Sequence, residues 1–119
     1  VADNWYGGNA NDDADRHRGW LLGHFVDPVD GGVRATGDLE VKWGVHPAGQ
    51  ARPEWTAGDQ RTTMLLLVSG RFRLDLTAGS TTLARQGDYV IWGPGIDHSW
   101  AAEEDSVVVT IRWPSVPGH

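Results

Sequence analysis

The chain has 119 residues, with Lys plus Arg at 10, Asp plus Glu at 16 and a formal charge of -6. That length makes one domain with one modest core, and the acidic balance speaks against a nucleic-acid partner, which needs a basic footprint. No stretch reaches the roughly 18 apolar residues of a membrane span or reads as a basic-then-apolar leader, so a cytoplasmic location without membrane contact is expected. There is no cysteine, which excludes disulfides and thiolate chemistry.

Residues 1–18, VADNWYGGNANDDADRHR, are polar, glycine-rich and aperiodic, and read as an irregular N-terminal arm pinned by Trp5 and Tyr6. Asn9, Asn11, Asp13 and Asp15 alternate as in a calcium loop. The glycine and glutamate such a loop needs at its sixth and twelfth positions are replaced by Ala14 and Trp20, so a solvated acidic tail is expected instead. Over 19–115, short apolar runs alternate with turn residues. WLLGHFV (20–26), LEVKWGVH (39–46), TTMLLLVSG (62–70) and RFRLDLTAG (71–79) are followed by STTLARQG, DYVIW, HSWAA and SVVVTIRW. These eight candidate strands predict an all-β barrel or sandwich. PAGQARPEW (47–55) carries two prolines, which rule out a regular helix there, and 116–119 is a short tail. The 7 tryptophans suit pocket linings or a core that needs bulky fillers.

The stretch GDYVIWGPGIDH (87–98) resembles the second motif of the cupin superfamily, G-x5-P-x-G-x2-H-x3-N. Gly87, Gly95 and His98 occupy their slots; the proline slot holds Gly93 with Pro94 beside it, and the asparagine slot holds Ala102. Gly70 matches the closing glycine of the first motif, G-x5-H-x-H-x3–4-E-x6-G. Stretches at 41–49, 66–74, 87–100 and 109–115, including VKWG, GDYV-W-PG--HSW and RWPS, are similar to a subset of small bacterial cupins without a defined activity. The resemblance implies an RmlC-like jelly-roll barrel, or double-stranded β-helix, over 19–115. It also implies a metal site of histidines and a carboxylate, but here that motif is degenerate. Thr63 takes the glutamate slot, and the histidine slots fall on Ala57 and Asp59 or on Thr56 and Gly58. With His98 alone in register, no tightly held metal is expected; Fe, Mn, Ni or Zn would need His98 together with His46, Asp59 or Glu54.

His98 and Trp100 share a parity, as do Thr63, Leu65 and Leu67, and in the implied barrel both sets face inward. They predict a largely apolar interior for an apolar or aromatic small molecule, with Trp55 and His46 as further contacts. His98 is then an acid/base for a metal-independent isomerase, cyclase or lyase step, or it rests against a core hydroxyl such as Thr63. A metal-dependent dioxygenase or isomerase and a non-catalytic sensor or assembly module are the alternatives. In LEVKWGVH, Glu40, Lys42 and His46 share one face and Val41, Trp43 and Val45 the other. The apolar face is expected to be buried, leaving Lys42 and His46 outside. Arg112 is expected to pair with Glu40 or Glu54. Exposed strand edges make a homodimer the expected assembly.

Overall fold

The computed structural model describes residues 4–117, the side chain of Asp30 excepted. Its described residues form nine strands in two antiparallel sheets. One has the order β1-β2-β9-β4-β7, from Trp20–Leu22, Glu40–His46, Ser106–Trp113, Thr62–Ser69 and Tyr89–Trp92. The other has the order β3-β8-β5-β6, from Ala51–Thr56, His98–Ala102, Phe72–Leu76 and Gly79–Leu83. Strand alternation sends Thr63, Leu65 and Leu67 of β4 and Phe72 and Leu74 of β5 into the space between the sheets, where all five are buried. Leu83, Trp92, Ala102 and Val108 complete the core. Among the described residues no helix is long and apolar enough to cross a membrane.

Three local readings are corrected. On β2 the inner face is the charged one: Glu40 is 0% exposed whereas Val45 is 60% exposed. The alternation had separated the two faces properly, but arginines from neighbouring elements meet Glu40, and this makes the polar face the buried one. The outer face of β2 is partly covered by the N-terminal segment, with Trp43 Nε1 donating to Asn11 Oδ1 at 2.8 Å. Secondly, Ala51–Thr56 is a ninth strand. Among the described residues it pairs only with β8, and it loses register between Arg52 and Thr56, so Pro53 sits on an edge, where a missing N–H is tolerated. Thirdly, the run 20–26 is strand only to Leu22, and Phe25 folds back to stack on Trp20 with centroids 4.4 Å apart.

Within the arm, Ala10–Ala14 form α1, capped by the Asn9 side chain, and a 3-10 turn follows. Asp13 is buried and accepts from the Tyr6 hydroxyl at 2.8 Å, so this part of the acidic stretch is not solvated. Tyr6 fastens the arm and also carries the Arg34 guanidinium 4.0 Å from its ring centroid. Trp5 is 72% exposed.

Candidate functional site

Beside the packed core the two sheets enclose a cavity of about 450 Å³, partly open to solvent, with Leu65, Leu74 and Trp92 shared between cavity and core. The turn quoted above sets one wall. Gly95, at φ +84, donates its N–H to the Asp59 carbonyl at 3.0 Å, and Asp97 Oδ1 accepts from the Gly58 N–H at 3.2 Å. Residues 93–97 are thereby tied to 58–59, and His98 enters β8 opposite Thr56 of β3. Thr56, Ala57, Gly58, Asp59, Thr63 and His98 all line this cavity. The positions that a cupin would use for metal ligands therefore do converge, although most carry other residues.

His98 packs its ring against Trp92, centroids 4.8 Å apart. Its Nδ1 is buried without a hydrogen-bond partner, as is Thr56 Oγ1 across the strand pair. Thr63, expected as the partner hydroxyl, is 3% exposed and lines the cavity without bonding Nδ1. Burial, and then the charge of Arg52, depress the imidazole below its ordinary pKa, so His98 is neutral at pH 7.

The other expected contacts divide. Trp100, Leu65 and Thr63 line the cavity with His98. Trp55 is 46% exposed and Glu54 is exposed, and neither lines the cavity. His46 does not line it either; its ring lies 4.5 Å from Trp100 and 5.4 Å from Phe72, with Nδ1 on Gln50 Oε1. Asp59 gives both oxygens to Arg61, at 2.8 and 3.0 Å. No group of three His, Asp or Glu side chains capable of holding a metal occurs among the described residues. His46, Asp59 and Glu54 are turned to other partners or to solvent, so the residues present do not fit a cupin metal centre.

Nor is the interior largely apolar. β4 supplies the expected apolar face, but Lys42, Arg52, Arg61 and Arg112 line the same space. Glu40, fully buried behind it, accepts from Arg61 Nη1 at 3.0 Å, Arg112 Nε at 2.7 Å and the Ser115 hydroxyl at 2.9 Å. Arg112 thus pairs with Glu40, one of its two expected acids. Trp20 carries the Arg112 guanidinium at 4.5 Å and the Lys42 ammonium at 5.6 Å from its ring. Lys42 was not expected in the cavity because the other face of β2 was placed inside, and Arg52 because β3 carries no apolar face to mark it. The signal for Lys42 was present in its shared parity with Glu40.

The hydrogen bonds from Arg61 hold the Asp59 carboxyl at about 2, below its ordinary 3.8, while burial depresses His98 and His46 below 6.5. Each of these three groups binds protons more readily when unfolded, so stability falls as pH drops. The histidine contribution is lost below pH 6.5 and that of Asp59 between 3.8 and about 2. Thermal unfolding followed against pH is expected to decline in these two stages, and Asp59→Asn is expected to flatten the more acidic one.

Two antiparallel sheets in jelly-roll order, a cavity between them and a histidine delivered by a Gly-Pro-Gly turn define a cupin barrel. The chain has the RmlC-like cupin fold, and solved structures bear this out. KdgF from a Halomonas species superposes with a TM-score of 0.60 at 22% identity, over 66% of this chain and 72% of that one. An RmlC-like cupin from Shewanella frigidimarina gives 0.61 at 16%, over 68% and 70%. A cupin protein from Bacteroides fragilis gives 0.60 at 22%, over 72% and 75%. No protein-family profile and no curated protein matches the chain.

Proposed function

We propose that this protein binds a small organic molecule between its sheets and carries out metal-independent acid/base chemistry on it through His98. The observation that supports this reading is a neutral imidazole lining an open cavity of about 450 Å³, with two unpartnered polar atoms, His98 Nδ1 and Thr56 Oγ1, at the same wall. A cavity of this size lies within the usual range for small-molecule sites. A neutral imidazole has one unprotonated ring nitrogen, which takes a proton from a bound molecule and returns it elsewhere, as an isomerisation, cyclisation or elimination requires. Trp92 packs on the ring and fixes its plane. The metal-dependent alternative needs His46 to leave Trp100 and Gln50, or Asp59 to leave Arg61.

Mass spectrometry of protein isolated without added ligand identifies any molecule it retains, and that molecule is then returned to wild type and to His98→Gln. Conversion by wild type, slowed about 100-fold or more by the substitution, is the expected outcome. Retention without conversion by either protein would make the barrel a binder or sensor. Stoichiometric Fe, Mn, Ni or Zn that disappears in His98→Ala would overturn the metal-independent reading.

A further inference from the structure

We infer that the molecule this cavity takes is an organic anion, a carboxylate on a flat unsaturated body, held by Lys42 and Arg52; the inference rests on the cavity being a binding site. The charges at the cavity do not balance. Four cationic side chains line it, Lys42, Arg52, Arg61 and Arg112, and two carboxylates answer them. Both of those carboxylates, Asp59 and Glu40, pair with Arg61, and Glu40 also pairs with Arg112. Lys42 and Arg52 have no ion pair among the described residues. A surplus of two positive charges thus faces one cavity in a chain whose formal charge is -6.

Both side chains line the cavity, Lys42 half-buried and Arg52 exposed on its edge strand. Lys42 projects from β2 in the five-stranded sheet and Arg52 from β3 in the four-stranded one, so the two reach the cavity from opposite walls. Arg52 lies directly opposite Trp100 in the β3–β8 pairing, and Lys42 lies over Trp20. Lys42 is half-buried, and the neighbouring charges that act on it, Arg112, Arg52 and Arg18, are all cations; burial and these charges lower its pKa. A half-buried ammonium with no ion pair among the described residues is an unfavourable arrangement that an incoming anion relieves.

The body of the ligand follows from the other lining groups. Trp20, Trp92 and Trp100 present three indoles to the same space, which favours a planar guest that can lie against a ring. The aromatic guest expected from the sequence is retained in this assignment, and a negative charge is added to it. The anion end sits toward Lys42 and Arg52, and the body runs toward His98 and Trp92.

Calorimetric titration of the whole chain with trans-cinnamate and with its neutral amide, cinnamamide, tests the assignment. Cinnamate is expected to bind at least about tenfold more tightly, the difference shrinking with added salt. In the double variant Lys42→Met, Arg52→Gln that preference is expected to disappear while cinnamamide binding is unchanged, and Lys42→Arg is expected to retain it. Thermal unfolding of the double variant checks that it folds, and removal of an unpaired half-buried ammonium is expected not to lower its Tm. Equal affinity for acid and amide would overturn the anion assignment and leave the binding cavity in place. Cinnamate binding that ignores both substitutions would overturn it by locating the anion elsewhere. Failure of both probes to bind at millimolar concentration would overturn the assignment and the cavity reading together.

Discussion

Replacing Glu40 by alanine is expected to destabilise the protein by about 3–5 kcal/mol, the cost of removing one partner from a buried ion pair. For a chain of this size that corresponds to a fall in Tm of roughly 10–25 °C. Glu40 is 0% exposed and is the common acceptor for side chains from several parts of the chain. Arg61, just before β4, Arg112 on β9 and Ser115 beyond β9 all donate to it. His24 joins at one remove, its Nδ1 2.7 Å from the Ser115 hydroxyl. Without the carboxylate, Arg61, itself 4% exposed, keeps Asp59, and Arg112 loses its one ion-pair partner among the described residues. Glu40→Gln retains the volume and an acceptor oxygen but not the charge, so it is expected to fall between wild type and alanine. A Tm within about 3 °C of wild type for the alanine variant would show that the network contributes little. Because Arg61 and Arg112 line the cavity, the same substitution is expected to alter ligand affinity through their release.

The barrel was legible because it depends on local chemistry that a sequence displays directly. Turn glycines such as Gly70, Gly87 and Gly95 stand at fixed distances from period-two apolar runs, and that spacing outlines strand, turn and strand without tertiary information. Counting from Gly70 and Gly87 even located the cavity wall, since positions 56–59, 63 and 98 do meet there. What was not legible depends on charges meeting across the fold. Alternation in LEVKWGVH groups Glu40 with Lys42 but is symmetric as to which group faces inward. Arg61 and Arg112, 21 and 72 residues from Glu40, decide it. β3 escaped notice for a related reason: it is an exposed edge strand, so no apolar face marks it. The electropositive character of the cavity was hidden for both reasons, because Lys42 belongs to the face read as outer and Arg52 to the strand not seen.

Gly70→Ala is expected to be the most damaging of the glycine substitutions in the two motifs, at about 2–5 kcal/mol from backbone strain and overpacking combined. Gly70 has φ +97 in the turn that carries the chain from β4 in one sheet to β5 in the other. A Cβ added there would stand 2.5 Å from Ser106 Oγ and 2.7 Å from Ser106 Cα, and would also strike the Asp105 carbonyl oxygen. These neighbours cannot give way easily. Ser106 is 2% exposed, opens β9 and accepts the Arg71 N–H on its hydroxyl at 3.1 Å. Moving it would disturb β9, which lies between β2 and β4 and carries Arg112 into the cavity. Gly95 provides the contrast. Its φ is +84, but nothing lies within 4 Å of an added Cβ, so Gly95→Ala is expected to cost only about 1–2 kcal/mol of strain. Its effect should appear in ligand affinity, because the turn it strains is the one that aims His98. Equal losses of Tm in the two variants, measured by thermal unfolding, would mean that strain at positive φ outweighs the close packing at Gly70. A markedly larger loss for Gly70→Ala, with Gly95→Ala folded but altered in binding, would assign the first glycine to holding the sheets together and the second to placing the histidine.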